Sequence, residues 1–290
     1  MRLALITDPR LQKLAALVED DYSKKAILGA QHAFDDTGNP LRASFLATAI
    51  RILVENALHS RSPDDQLKQC SWYQPDPNTC GKPTRAQRAF YAVHGGLPKS
   101  TAMEILGIDL DIMKKQLVAA VDKMGRNIHK PDEKIIAEKS EQDQFADEIF
   151  NAAIEFFSSI KGFREEICNK MSSEIHDAAM DAFISETIMA VDELATHHCI
   201  DEVYVDHIRV KSIDADTVSF SASGTIGVIL QWGSNSDRRK GDGMEIEQSF
   251  PFTCEFKAPV DQLHQFEESD EPPLVDTREW TDAMRPDEED

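Results

Sequence analysis

The sequence lacks the features that would place it in a membrane or outside the cell. No apolar run approaches the roughly 20 residues that a helix needs to cross a bilayer, and the first residues show no basic start followed by a long apolar core. The five cysteines are odd in number and scattered along 290 residues, which argues against a framework of disulfides. These absences predict a soluble, cytoplasmic protein that makes no contact with a membrane.

Spaced zinc-binding motifs are also missing. His197, His198 and Cys199 are adjacent and His207 is nearby, but no C-x-x-C or H-x-x-x-H spacing supports a zinc site. Adjacent histidines at the end of a helix are more often exposed cations at its C-terminus. The sequence therefore predicts no zinc centre here.

Positive charge is scarce overall and unevenly distributed. The chain has 31 Lys and Arg against 52 Asp and Glu, a formal net charge of −21. Residues 1–130 hold 18 basic against 14 acidic residues, a net of +4, and the other 160 residues hold 13 against 38, a net of −25. Because phosphate contacts supply most of the non-specific affinity for nucleic acid, we expect nucleic acid to bind through residues 40–130.

The residue patterns predict an α+β protein, in which a helical bundle precedes a small antiparallel β-sheet and an acidic disordered tail. The expected domains are a weakly basic helical domain (1–130), a long acidic helical hairpin (131–199), an antiparallel β domain (200–260) and the tail (261–290). The hairpin comprises helices at about 141–160 and 164–197, with a break at Gly162. The hairpin, the β domain and the tail are candidates for self-association or for binding a protein partner.

Alternating apolar residues predict strands at 202–211, 215–223, 224–232 and 244–257. Tight turns are expected at Asp214-Ala215-Asp216 and at Ser223-Gly224. Residues 231–243 form a polar, charged connection that is longer than a hairpin needs, and long irregular connections often carry function.

An E-x-K pair, Glu255 and Lys257, ends the last predicted strand, and Asp237 and Asp242 lie upstream in the polar connection. Two carboxylates can hold Mg²⁺ while a lysine orients or activates the attacking water. Asp237, Asp242 and Glu255 are therefore predicted metal ligands and, with Lys257, predicted catalytic residues of a metal-dependent nuclease. Two alternatives are a surface that binds a polar ligand or a partner protein, and a solvated hairpin whose Asp and Ser side chains cap the turn.

Basic residues are interleaved with aromatic residues in the first domain, a combination that suits unpaired bases and phosphates. The candidate nucleic-acid contacts of this kind are Arg42, Arg51, Trp72, Tyr73, Arg85 and Arg88. The alternative is that the aromatic side chains belong to the core and the cations to a solvated face.

Two more patterns in this domain bear on nucleic acid. Residues 100–124 resemble a helix-turn-helix with Gly107 at the turn, which makes Lys114 and Lys115 candidate contacts, although the second helix begins with two acidic residues. Arg126 and His129 share a helical face. They are similar to the Arg-Asn…His signature of HEPN-type ribonucleases, with a shorter gap here. Cations meeting a helix dipole are the alternative for this pair.

Several segments together carry a resemblance to a known family. They are Arg42-Ala43-Ser44-Phe45 with Arg51, Cys70-Ser71-Trp72-Tyr73, Pro83-Thr84-Arg85-Ala86-Gln87-Arg88 with Tyr91, Gly95-Gly96-Leu97, the region of His129, Gln231-Trp232-Gly233-Ser234-Asn235-Ser236-Asp237, and Ser249-Phe250-Pro251-Phe252. The pattern resembles the predicted nuclease family associated with prokaryotic PIWI-type proteins, found in bacterial antiviral defence neighbourhoods. The likeness covers most of the chain outside the first ~35 residues and the tail.

The resemblance implies a component of antiviral defence that acts on or senses foreign nucleic acid. A metal-dependent nuclease is one form of that function. The alternatives are a non-catalytic adaptor that holds a partner effector or sensor, and a helix-turn-helix regulator that binds DNA.

Overall fold

The computed structural model describes residues 6–126, 138–185, 188–267 and 271–283. The chain divides into two units, Met1–Glu166 with Asp214–Asp216, and Ile167–Ile213 with Thr217–Asp290. Helices come first and a four-stranded antiparallel sheet follows, which confirms the predicted α+β class. Within the described residues, no helix combines the length and apolarity needed to cross a bilayer.

Mostly short helices make up the first unit. They are α1 (Pro9–Ala15), α2 (Asp21–Asp35), α3 (Arg42–Arg61), α4 (Asp64–Gln69), a 3₁₀ turn (Pro77–Thr79), α5 (Arg85–His94), α6 (Lys99–Thr101), a π-helical turn (Ala102–Leu106) and α7 (Leu110–Arg126). Polar side chains fix several helix starts, as where Thr84 and Gln87 form a reciprocal capping box at α5. Gly107 adopts a left-handed conformation with φ of 69°, so the predicted helix–glycine–helix corner is present.

Helix α8 (Lys139–Lys170) runs straight through Gly162, where the sequence predicted a break. Glycine inside a helix costs only about 1 kcal/mol relative to alanine. Burial of neighbouring aromatic side chains such as Phe157 and Phe163 offsets that cost. The prediction of a break at Gly162 is therefore wrong, and the turn falls at Met171, before α9 (Ser172–Ser185).

The second unit is built on the sheet. Its strands β1 (His197–Ile213), β2 (Thr217–Trp232), β3 (Met244–Pro259) and β4 (Leu274–Val275) are hydrogen-bonded in that order, with α10 (Met189–Asp192) before β1, α11 (Asn235–Lys240) between β2 and β3, and α12 (Arg278–Ala283) after β4. One face buries apolar side chains towards α9, where the rings of Phe183 and Phe252 lie 4.8 Å apart between centroids. We call this the inner face and the opposite, exposed face the outer face.

Strand β2 continues through Ser223 and Gly224, where a tight turn was expected. A Cβ atom at position 224 would lie 1.8 Å from the carbonyl oxygen of Tyr204 on β1. Gly224 is needed because the two backbones approach closely, not because the chain turns. The predicted turn is wrong, and the strands predicted at 215–223 and 224–232 are one strand.

Strand β1 carries three β-bulges, which the sequence pattern did not predict. Its register against β2 shifts at three places, so that Asp201, Asp206 and Lys211 are extra residues in the ladder. A bulge bends its strand and can re-aim a side chain.

Part of the predicted disordered tail is structured against the sheet. Leu274 and Val275 pair with Thr253 and Phe252 as β4. The ring of Trp280 in α12 lies 6.4 Å from that of Phe250. Val275 is buried and Trp280 contacts an aromatic residue of the sheet, which the overall composition of this acidic segment did not indicate.

Candidate functional site

The outer face of the sheet has a floor of small polar side chains. On β2, Thr217, Ser219, Ser221, Ser223 and Thr225 alternate with buried apolar residues and are half-buried. Longer, exposed side chains of β1 and β3 lie on either side of this row. The result is a shallow trough with a hydroxyl-lined floor.

Charged side chains meet at one end of the trough. The Nζ atom of Lys211 lies 2.5 Å from Oε1 of Glu255, so this ion pair spans β2. Arg209 and Glu255 are both register partners of Ser221, on opposite sides of it. Lys257 is two positions beyond Glu255 on the same exposed face of β3. We call Arg209, Lys211, Glu255 and Lys257 the charged cluster.

The polar connection of residues 231–243 folds around the short helix α11. The backbone N–H and the hydroxyl of Ser234 donate to the Asp237 carboxylate at 2.9 and 2.6 Å, and the Asp237 N–H donates to the Ser234 hydroxyl at 3.3 Å. Hydrogen bonds from the Ser234 side chain and backbone lower the pKa of Asp237. Ser234 is therefore the N-cap of this helix and Asp237, its third residue, completes a capping box, as in the alternative of a capped hairpin.

Asp237 and Asp242 lie at the opposite end of the β2–β3 hairpin from Glu255. Met244, the first residue of β3 after the connection, pairs with Trp232, and Glu255 is eleven positions further along β3. At a rise of about 3.3 Å per residue, these positions are roughly 36 Å apart. Ligands of one Mg²⁺ ion lie about 2 Å from it, so these carboxylates cannot share an ion in this structure. The predicted single centre of Asp237, Asp242 and Glu255 is not formed, and the described residues contain no group of three His, Cys, Asp or Glu arranged to hold a metal ion.

Arg42, predicted to contact nucleic acid, is a structural residue of the first unit. It is 3% exposed. Its Nε atom donates to the carbonyl of Phe34 at 2.6 Å, and its Nη1 atom donates to Asp143 at 2.8 Å. This corrects the prediction, because the guanidinium is engaged inside the protein.

Arg88, Trp72 and Tyr73 are half-buried and engaged within the first unit. Arg88 donates to the carbonyl of Ser62 at 2.9 Å and pairs with an acidic residue of α4. The indole of Trp72 donates to the carbonyl of Gly95 at 3.0 Å, and Tyr73 packs beside it against a small buried cluster. For these residues the structure agrees with the alternative that the aromatic side chains belong to the core.

The remaining predicted contacts of the first unit keep some exposure. The Nε atoms of Arg51 and Arg85 lie 4.0 and 3.0 Å from the carboxylate of Glu55, which draws the two side chains together. Lys114 and Lys115 are exposed on α7, and the Lys114 Nζ atom lies 5.2 Å from the ring centroid of Phe90. Their contact with nucleic acid stays a prediction.

The predicted HEPN-like pair lies outside the part of the chain whose side chains are described. Arg126 ends α7, but its side chain is not described, and His129 falls between residues 126 and 138.

Comparison with known proteins finds two family models, both described as predicted pPIWI-associating nuclease, which match residues 15–157 and 160–281. The chain belongs to the predicted pPIWI-associating nuclease family. No curated protein and no solved structure matches it. The second match contains the entire sheet, and therefore the charged cluster.

The charged cluster is unusual because the rest of the second unit is acidic. That unit holds nine Lys and Arg, and three of them (Arg209, Lys211 and Lys257) gather around Glu255. A carboxylate beside several cations can accept a proton while the cations stabilise a phosphate oxyanion. The sequence pattern identified Glu255 and Lys257 but missed Lys211. Lys211 is the extra residue of a β-bulge in β1. Its position therefore does not follow the alternation of buried and exposed residues by which the strands were predicted.

Proposed function

We propose that this protein is a phosphodiesterase that cleaves nucleic acid in antiviral defence, with the charged cluster as its active site. The observation that carries the proposal is the position of Glu255 between Lys211 and Lys257, above a hydroxyl-lined floor. The membership of the chain in a predicted nuclease family supports it.

The cluster supplies the groups that hydrolysis of a phosphodiester needs. Glu255 accepts a proton from the attacking water. The bond from the water oxygen to phosphorus forms, the bond from phosphorus to the leaving oxygen breaks, and the leaving oxygen takes a proton from solvent. Lys211 and Lys257 stabilise the negative charge that develops on the non-bridging oxygens. The products are a phosphate monoester and a free hydroxyl.

Mg²⁺ is the proposed cofactor, held by Glu255 and not by a preformed cage of carboxylates. Proteins often hold Mg²⁺ through one or two carboxylates, with water and substrate phosphates as the other ligands. Glu255 is the one carboxylate of the charged cluster and is paired with Lys211, so Mg²⁺ would reach it only by displacing that lysine, with substrate phosphates supplying further ligands. Bound Mg²⁺ would add positive charge at the phosphate oxygens.

The family description associates these nucleases with prokaryotic PIWI proteins. We propose that this chain works with such a protein. Contact with nucleic acid by the first unit is proposed for Lys114 and Lys115, which are exposed on α7.

A cleavage assay tests the proposed active site. Purified protein is incubated with labelled single-stranded and duplex DNA and RNA, in Mg²⁺, Mn²⁺ or EDTA. We expect cleavage by the unmodified protein with Mg²⁺ or Mn²⁺, and a loss of about 100-fold or more in kcat/KM for Glu255→Gln and for Lys257→Met. Each variant should unfold at nearly the same temperature as the unmodified protein, because both side chains are exposed.

Two control variants separate the cluster from other acidic positions. Asp177→Asn changes an exposed carboxylate on α9 of the same unit, away from the outer face, and Asp237→Asn changes a residue of the capping box of α11. Both should cleave within about twofold of the unmodified protein, and Asp237→Asn should keep most of its stability, because an amide oxygen can accept the hydrogen bonds of Ser234 in place of the carboxylate. Full activity of Glu255→Gln contradicts the proposal. Absence of cleavage on all substrates favours the non-catalytic adaptor.

A further inference from the structure

We infer that the outer face of the sheet binds a single strand of nucleic acid, with a base stacked on the ring of Tyr204 and the backbone leading to the charged cluster. This inference rests on the proposed function for the chemical class of its ligand, and it adds the kind of substrate and the path that it follows.

Tyr204 presents a large aromatic surface on this polar face. Its side chain, on β1, is 54% exposed and lies opposite Thr225 of the trough floor. Proteins that bind single strands stack successive bases on exposed aromatic rings, because every base has a π-face.

A glycine on the floor contributes to the position of this ring. Gly227 pairs with Glu202, and a Cβ atom there would lie 2.8 Å from Cγ of Glu202. Without that Cβ atom, the Glu202 side chain can lie across the floor. The Tyr204 hydroxyl donates to its carboxylate at 2.8 Å. The ring is thereby held in place by its hydroxyl end while its faces stay open for stacking.

The trough connects Tyr204 with the charged cluster. From Thr225 to Ser219 is six positions along β2, about 20 Å. The hydroxyls of Ser221 and Ser223 line this path, and basic side chains of β1 and β3 are concentrated at its far end. Phosphate groups therefore meet donors along the path and cations at the site of cleavage.

Charge also sets where the path ends. On the other side of Tyr204, the outer face carries the exposed carboxylates of Glu202, Glu245 and Glu247. These groups repel phosphates, so a bound strand occupies the half of the face between Tyr204 and the charged cluster.

The dimensions of the trough favour a single strand over a duplex. Neighbouring strands of a sheet lie about 4.8 Å apart, so β1 and β3 are separated by roughly 10 Å. A DNA duplex is wider than its major groove, which alone measures about 12 Å. A duplex therefore cannot lie between the side chains of β1 and β3. Stacking on Tyr204 also needs a base that is not enclosed in a duplex.

Fluorescence anisotropy with labelled oligonucleotides tests the inference. Single-stranded and duplex forms of one sequence are titrated with protein in EDTA, so that cleavage does not interfere. We expect Tyr204→Ala to weaken single-strand binding at least about fivefold and to leave duplex binding within twofold. Tyr204→Phe keeps the ring and should bind within twofold of the unmodified protein.

Tyr22 provides a matched control, because it is also 54% exposed but lies on α2 of the first unit. Tyr22→Ala should leave single-strand binding unchanged. Three outcomes would each overturn the inference: unchanged single-strand binding in Tyr204→Ala, an equal loss for single strand and duplex, or a loss in Tyr204→Phe as large as in Tyr204→Ala.

Failure of this inference can be told apart from failure of the proposed function. If Glu255→Gln abolishes cleavage but Tyr204→Ala binds single strands normally, the active site stands and the stacking surface does not. If the unmodified protein cleaves nothing but Tyr204→Ala binds single strands more weakly, the surface stands as a binding site without the chemistry.

Discussion

Exchanging the charges of Lys211 and Glu255 separates their structural role from a chemical one. Both side chains are about half exposed, at 46% and 53%. Exposed ion pairs contribute about 0.2–1 kcal/mol to stability. In the double variant Lys211→Glu, Glu255→Lys, opposite charges still face each other across β2. We therefore expect the free energy of unfolding to change by less than about 1 kcal/mol, and the melting temperature by no more than about 2–4 °C.

The same exchange should abolish cleavage. It replaces the proposed proton acceptor on β3 with an ammonium group beside Lys257, and moves the carboxylate to β1. General acid–base catalysis contributes about 100-fold to 10,000-fold to a rate, so kcat/KM should fall by at least about 100-fold. That fall corresponds to about 2.7 kcal/mol in transition-state stabilisation, well above the expected change in folding stability.

The two quantities are measured on the same preparations. Cleavage of a labelled oligonucleotide at concentrations below KM gives kcat/KM, and thermal unfolding followed by circular dichroism gives the melting temperature. A double variant that cleaves at the rate of the unmodified protein would refute the assignment of Glu255 as the proton acceptor. A variant that loses activity and more than about 10 °C of melting temperature would show that the pair is structural instead.

Two further predictions concern stability. Gly224→Ala places a Cβ atom 1.8 Å from the carbonyl oxygen of Tyr204 and should destabilise the protein by about 1–3 kcal/mol, whereas Gly162→Ala meets nothing within 4 Å and should stabilise it by about 0.4–1 kcal/mol. Urea denaturation measures both, and a stabilised Gly224→Ala would contradict the close approach of β1 and β2. His94 is fully buried, and desolvation lowers its pKa from 6.5 to about 3. Below pH 6.5 the unfolded chain binds a proton that the folded protein excludes. Burial of neutral His94 therefore does not reduce the free energy of unfolding above pH 6.5. As the pH falls from 6.5 to about 3, it lowers the free energy of unfolding by up to about 1.4 kcal/mol per pH unit. The free energy of unfolding should therefore fall less between pH 7 and pH 5 in His94→Leu than in the unmodified protein. An equal fall in both proteins would contradict the lowered pKa of His94.

Periodicity predicted the architecture but misjudged two glycines. The alternation of apolar residues in the second half of the chain indicated an antiparallel sheet after helices, as the structure shows. Ser223-Gly224 has the composition of a turn, yet Gly224 serves a close contact with a strand about 20 residues earlier. A local pattern carries no information about a partner so distant in sequence.

Residues of the candidate sites could be placed from the sequence only where their positions depend on neighbours along the chain. Glu255 and Lys257 share one strand, so their spacing placed them on one face. Arg42 and Arg88 are basic residues near aromatic ones in sequence, but their donors reach the carbonyls of Phe34 and Ser62 inside the first unit. Whether a cation has such a partner depends on tertiary packing, which composition does not report.

The three bulges of β1 indicate how relatives of this protein would differ. Asp201, Asp206 and Lys211 are supernumerary in the ladder. Deletion of any one of them would leave the neighbouring pairs on their present faces, and substitution would leave every pair intact. Asp201 and Asp206 are therefore free to vary in length and charge while the apolar side of the strand stays constant, whereas the role proposed for Lys211 requires a basic residue at its position. Among relatives, β1 is expected to lose or gain single residues at the positions of Asp201 and Asp206, and each such step would alter the charge of the sheet.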